Sequence, residues 1–127
     1  MSITKFKRGV VHADTVEKTS AYTVVTSTDA GKIFEVKDGN DVTFTLPAIA
    51  IGNCFTFIYT GQDGNGSITL SPNASDGVSY KGSATDNKDL ILTKATAKAG
   101  DYVKIASLGQ VVAWQVVESK GVWAKEA

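Results

Sequence analysis

The chain has little of the side-chain chemistry on which soft-metal binding and nucleophilic catalysis depend. Its 127 residues include a single cysteine, Cys54, and a single histidine, His12. This composition excludes an internal disulfide and a zinc or iron–sulfur site with several Cys or His ligands. His12 lies outside the predicted scaffold, and Cys54 has no basic neighbour to activate its thiol. We therefore expect no enzymatic activity, no metal and no cofactor, and we interpret Cys54 as a small core residue.

The chain also lacks an excess of either charge and any long apolar run. Thirteen basic and thirteen acidic side chains give zero net charge, so there is no electrostatic footprint for nucleic acid. No apolar run exceeds four residues, as in Ala48–Ile51, whereas a membrane helix needs about 20. Met1–Val11 lacks the apolar segment of a secretory signal. We expect no nucleic-acid partner, no membrane and synthesis in a cytoplasm.

What the chain has in quantity is residues that favour strands. There are 14 Val, 8 Ile and 14 Thr against only 5 Leu and 4 Glu. Branching at Cβ restricts the side chain in a helix and packs well on a pleated surface. Eight short runs separated by Gly, Asn and Asp are predicted as strands: Tyr22–Thr26, Ile33–Lys37, Val42–Leu46, Cys54–Thr60, Ser67–Ser71, Leu90–Thr93, Tyr102–Leu108 and Val111–Val117. The pattern predicts an all-β fold, an antiparallel β-sandwich or jelly roll of about eight or more strands.

Alternation within these runs predicts which side faces the core. Residues two apart point to the same side of a strand. Two apolar sets with this spacing are Val42, Phe44 and Leu46, and Phe55, Phe57 and Tyr59. Threonines occupy the positions between them, as expected for sheets with one buried and one solvated face.

The predicted turns contain most of the acidic side chains. The nearest pairs of aspartates in sequence are Asp38 with Asp41 and Asp86 with Asp89. Paired carboxylates can perform acid–base catalysis, but Asp is also favoured in turns because it bonds its own backbone. The segment Gly61–Gly66 resembles part of a calcium loop without its full ligand spacing. We interpret these aspartates as turn residues and Gly61–Gly66 as a hairpin turn.

The two ends of the chain supply the candidate contact residues. We interpret residues 1–18 as an N-terminal arm and residues 19–127 as one β-sandwich domain. Lys5, Phe6, Lys7 and Arg8 are the candidate partner-binding residues, since the three cations precede any acidic residue. Trp123 follows the last predicted strand, and we interpret it as an anchor onto the core or onto a neighbouring subunit.

Seven short motifs follow one another in a recognisable order. They are AYTV at 21–24, DAGKIF at 29–34, VTFTLP at 42–47, GNCFTF at 52–57, ITL at 68–70, GDYV at 100–103 and WQV at 114–116. This order resembles a β-module that recurs in virion proteins of tailed bacteriophages. The resemblance covers residues 21–118 and rests on the order of the motifs, because each motif alone is common.

The resemblance implies a structural role. Such modules occur in capsid decoration proteins, head fibres, tail fibres and spikes, commonly as trimers. We predict an outer capsid decoration, or cement, protein on the exterior of the virion that binds the major capsid protein shell and stabilises the assembled phage head. A homotrimer is the expected assembly. The alternative within this class is a tail, baseplate or head-fibre module.

A carbohydrate-binding module is the alternative of another class. It would use Trp123, Tyr80 and nearby Asn and Asp side chains, because aromatic faces stack on sugar rings. Trp114 lies in the middle of the last predicted strand, and we expect it to be buried.

Overall fold

The structure is a computed structural model that describes residues 14–109 and 112–127. In this part of the chain there are eleven strands, one α-helical turn, α1 (Thr26–Asp29), and one 3-10 turn, Lys94–Thr96. The strands are β1 (Thr15–Glu17), β2 (Tyr22–Thr23), β3 (Ile33–Val36), β4 (Asp41–Thr45), β5 (Cys54–Tyr59), β6 (Ser67–Ser71), β7 (Gly77–Ser79), β8 (Leu90–Leu92), β9 (Tyr102–Ala106), β10 (Ala113–Lys120) and β11 (Trp123–Lys125). Neither helical segment of these residues is long and apolar enough to cross a membrane.

The strands form two sheets, which confirms the all-β prediction. One sheet has six strands in the order β1-β3-β5-β9-β10-β7, and the other has five in the order β11-β8-β6-β4-β2. Each of the eight predicted strands has a counterpart. Strands β1, β7 and β11 are additional and have only three residues each. At that length the period-2 pattern carries almost no signal.

The direction of the strands differs from the prediction. Strands β1 to β8 alternate between the two sheets, so neighbours such as β3 and β5, or β4 and β6, run parallel. The antiparallel arrangement was therefore wrong for the pairs β1–β3, β3–β5, β2–β4 and β4–β6, whereas β6 and β8 do pair in antiparallel orientation. The jelly roll is not confirmed. Gly61–Gly66 is not a hairpin turn, because it leads from β5 in one sheet to β6 in the other. Alternation of side chains fixes the buried face of a strand but not the direction of its neighbours.

The core lies between the two sheets. Phe34 of β3, Phe44 of β4 and Phe57 of β5 are fully buried. The ring centroids are 5.3 Å apart for Phe34 and Phe44 and 4.8 Å apart for Phe44 and Phe57. Because Phe44 belongs to the five-stranded sheet and the other two to the six-stranded sheet, this cluster joins the layers. Both sets of alternating apolar residues predicted to face the core are buried.

The last residues of the predicted N-terminal arm lie in the six-stranded sheet. Residues 15–17 form β1, which pairs in parallel with β3 from Thr15 opposite Ile33 to Glu17 opposite Glu35. The N–H of Lys18 then donates to the carbonyl of Glu35 at 3.0 Å. This part of the arm is an edge strand of the six-stranded sheet. Residues 1–13 lie outside the described residues.

Candidate functional site

Three exposed apolar side chains lie on two connections at one end of the sandwich. Ile51, between β4 and β5, is 63% exposed, and Leu108 and Val112, between β9 and β10, are 49% and 60% exposed. The two connections are neighbours because Cys54, at the start of β5, pairs with Ala106, at the end of β9. We call these three side chains the apolar loop end.

Ser107 holds the two connections together. It is 1% exposed, and its hydroxyl donates to the carbonyl of Ala50 and accepts from the N–H of Asn53 at 3.0 Å. Its own N–H donates to the Asn53 carbonyl at 2.9 Å, and its carbonyl accepts from the Gly52 N–H at 2.9 Å. All the polar atoms of this buried residue are thus bonded. The backbone on either side of Ile51 and immediately before Leu108 is therefore held in place.

An apolar loop end of this kind is suited to contact rather than catalysis. Adjacent exposed apolar side chains mark interaction surfaces, whereas isolated ones are ordinary. The centre of a protein–protein interface is depleted in charged residues. Since the backbone around Ile51 is already bonded to Ser107, binding at Ile51 would order little additional backbone.

A buried carboxylate, Asp29, stabilises the helical turn α1, of which it is the last residue. Asp29 is 2% exposed and accepts hydrogen bonds from the N–H of Val25 at 2.8 Å, the hydroxyl of Tyr22 at 2.8 Å and the ammonium of Lys32 at 3.2 Å. Burial raises the pKa of Asp29, but the bonds from Val25, Tyr22 and Lys32 together outweigh it, so the pKa is lowered. The hydrogen bond with this carboxylate raises the pKa of Tyr22. Asp29 therefore has a structural role as an anion.

The lowered pKa of Asp29 predicts a loss of stability in acid. The pKa of the Asp29 carboxyl is lower in the folded state than in the unfolded state, where it is about 3.9. Its ionised form therefore stabilises the fold above a pH of about 3.9, and this contribution is lost as pH falls through the pKa of the folded state. We expect the free energy of unfolding to decrease from about pH 5 downwards. Urea unfolding of Asp29→Asn should show a weaker acid dependence than the unchanged protein. The exposed Asp86→Asn is the control, and equal acid dependence of Asp29→Asn and the unchanged protein would contradict this assignment.

The opposite end of the sandwich carries a polar groove. Its open volume is about 550 Å³, and its lining residues are Glu17, Glu35, Lys37, Asp38, Asn40, Thr60 and Gly61. The Lys37 ammonium lies 3.5 Å from a Glu17 carboxylate oxygen, and the Thr60 hydroxyl donates to Glu35 at 2.6 Å. Asp38 accepts from the backbone N–H of Gln62. Each acidic side chain of the groove thus has a partner in the chain.

Asp38 and Asp41, one of the two aspartate pairs named from the sequence, have separate partners. Asp41 lies 3.1 Å from the Lys94 ammonium and accepts from the Ser67 hydroxyl at 3.0 Å, whereas Asp38 binds the backbone of Gln62. The Lys94 hydrogen bond is the largest cause of a lowered pKa of Asp41. Within residues 14–109 and 112–127, no group of three or more His, Cys, Asp and Glu is arranged to hold a metal ion.

The candidate contact residues from sequence analysis fall in different places. Lys5, Phe6, Lys7 and Arg8 lie outside the described residues. Trp123 lies in β11, is 5% exposed and packs in the core, and its indole N–H donates to the Lys120 carbonyl at 3.0 Å. The indole is thus packed within its own chain. Its faces are not available for stacking on a sugar ring, and Tyr80 is the remaining aromatic of that hypothesis.

Cys54 and Ser107 were not interpreted correctly from sequence. Cys54 is half-buried and alternates with Phe55, so it lies on the face of β5 opposite the core. It is not the core residue that was predicted. Ser107 was placed inside a predicted strand, although it lies in a connection. The sequence does contain a signal for the end of this strand, because Ser107 is followed closely by Gly109 and both residue types favour turns.

The described residues thus form two distinct surfaces, the apolar loop end and a polar groove whose acidic side chains are bonded within the chain. Trp123 belongs to neither surface, because it is packed in the core. Comparison with known proteins adds no relative on which a function could be based. The sequence matches no model of a known protein family and no curated protein sequence.

Proposed function

We propose that the protein is an outer capsid decoration protein that binds the assembled head of a tailed bacteriophage and stabilises it. The order of strand motifs over residues 21–118 supports this class of protein. The observation that carries the proposal is the apolar loop end, with Ile51, Leu108 and Val112 exposed on connections joined through buried Ser107. The partner is the shell of the major capsid protein, and the location is the exterior of the virion.

Burial of the apolar loop end would provide most of the binding free energy. Full burial of a Val, Leu or Ile side chain contributes about 1.5–3 kcal/mol. A protein that bridges neighbouring shell subunits stabilises the shell because it binds the assembled form and not the separated subunits. Lys5, Phe6, Lys7 and Arg8 are proposed as a second contact, in which the cations meet acidic groups on the shell and increase the rate of association.

The test is binding of the purified protein to undecorated heads. We expect saturable binding and a higher temperature of head disruption. Ile51→Ser combined with Leu108→Ser should weaken binding at least about tenfold, because two apolar contacts are lost. The matched control is Val122→Ser, since Val122 is 61% exposed and lies next to Trp123 at the other end of the sandwich.

Deletion of residues 1–12 measures the contribution of the basic segment, and we expect weaker binding that is less sensitive to salt.

Three outcomes would contradict the proposal in different ways. Equal binding by the double serine variant and the unchanged protein would remove the apolar loop end from the contact. Binding to tails or baseplates and not to heads would favour the tail or fibre alternative. A glycan-array signal lost on Tyr80→Ala would favour the carbohydrate-binding alternative. The resemblance also implies a homotrimer, which a mass measurement in solution tests.

A further inference from the structure

Strand β10 has an uncovered edge along its second half. It pairs with β9 from Gln115 opposite Ala106 to Lys120 opposite Tyr102. On its other side β7 pairs only with Ala113, Trp114 and Gln115. The four residues that follow Val116 are all exposed, and Val117 is 48% exposed.

The chain turns away from β10 at the end of β7. Tyr80 and Ser83 exchange backbone hydrogen bonds of 2.9 and 3.0 Å, with Lys81 and Gly82 at positive φ between them. After this tight turn the chain no longer pairs with the edge of β10. In the part of the chain that the structure describes, no strand pairs with the outer edge of 117–120. The backbone polar groups of such an edge are a template for an added strand.

We propose that residues 118–120 pair in antiparallel orientation with the same residues of a second copy, about a two-fold axis at Ser119. In this register Ser119 faces Ser119, and Glu118 of each copy faces Lys120 of the other. Directly opposite residues of unlike charge stabilise an antiparallel pair. The pairing is confined to these three residues, because β10 shifts its register against β9 between Val116 and Glu118, and because Gly121, at a φ of 108°, lies beyond the end of the strand.

Charge selects this register over its neighbours. Moving the axis to Glu118 places the two Glu118 carboxylates directly opposite each other, and moving it to Lys120 does the same for the two ammonium groups. Like charges directly opposite are destabilising. Glu118 and Lys120 lie on one face of β10, opposite Lys104 and Tyr102 of β9. The segment is therefore complementary to itself, as a two-fold interface requires.

The size of the contact indicates a weak association. A specific stable interface buries about 1,200–2,000 Å² in total, and a ladder of about three residues on each side buries much less. We expect a dimer that forms reversibly in the range of about 10 µM to about 1 mM. This two-fold pair is distinct from the three-fold association that the resemblance implies, and mass separates them.

Sedimentation velocity of the full chain over that concentration range tests the pairing. Glu118→Lys and Lys120→Glu should each weaken the dimer at least about tenfold, because each places like charges opposite. The double variant Glu118→Lys/Lys120→Glu should dimerise again, because the exchanged charges are still complementary. This rescue would not occur if either substitution acted by unfolding β10.

Two control variants separate the pairing from effects within one copy. The Tyr102 hydroxyl donates to the Glu118 carboxylate at 2.5 Å, so Tyr102→Phe removes that bond and leaves both charges in place. Lys104→Glu reverses a charge on the same face one strand away. Both should leave dimerisation unchanged. A mass that does not double over this concentration range, or association unaffected by the single charge reversals, would overturn the proposal.

Discussion

Replacement of Trp114 with alanine lowers the free energy of unfolding by about 3–5 kcal/mol. Trp114 is fully buried in β10, and its ring packs edge-on against Phe55 with centroids 5.5 Å apart. The substitution leaves a large cavity in the six-stranded sheet beside β7. Urea unfolding followed by circular dichroism measures the loss. A change below about 1 kcal/mol would mean that the surrounding side chains collapse into the space.

Trp114→Phe keeps an aromatic ring at the same position but removes the indole N–H. The indole N–H is buried and has no hydrogen-bond partner among the described residues. A buried unsatisfied donor costs about 1–3 kcal/mol, so phenylalanine removes both packing volume and this penalty. We expect Trp114→Phe to lose much less stability than Trp114→Ala. An equal loss in the two variants would contradict this expectation.

Replacement of Gly77 with alanine lowers the free energy of unfolding by about 3 kcal/mol, the upper part of the range for an overpacked core. A Cβ on Gly77 would lie 2.5 Å from the carbonyl oxygen of Ala84 and 3.0 Å from that of Thr85. Both contacts are with backbone, so no side-chain rotation can relieve them. The strain would move β7 or the segment that packs over it.

Gly109→Ala is the matched control for the same change. A Cβ on Gly109 meets no atom within 4 Å, and Gly109 does not have a positive φ. We expect little change, or a small gain from the lower entropy of the unfolded chain. Thermal or urea unfolding of both variants compares them directly. Equal stability of the two variants would contradict the close backbone approach at Gly77.

The long alternating strands were predictable because each buries one full face. The segment from Cys54 to Tyr59 alternates half-buried and buried residues along its whole length, and the predicted strand Ser67–Ser71 has the observed bounds. The direction of pairing was not predictable, because Val36 opposite Tyr59 has the same local pattern in a parallel as in an antiparallel pair. It depends on which sheet the chain enters next.

The candidate surfaces depend on contacts between residues distant in sequence. Ile51 and Leu108 become neighbours through Ser107 and Asn53, which are 54 positions apart. The open edge at Val117 depends on where β7 ends, nearly 40 positions earlier in the chain. Neither the proximity of Ile51 to Leu108 nor the open edge of β10 can be recognised from the residues next to it in sequence. Trp123, by contrast, was predictable as an anchor or an interface, since an aromatic beyond the last strand fits both, and only burial separates them.

The passage of the chain between sheets also bears on how the protein reaches its native state. Among the described strands, β9 and β10 are the one pair adjacent both along the chain and within a sheet. Every other ladder joins segments separated by at least one intervening strand, so its formation requires closure of a longer loop. Chains dominated by such distant contacts fold slowly, in milliseconds to seconds. The earliest stable contact is therefore expected in the β9–β10 hairpin, whose connection carries Leu108 and Val112.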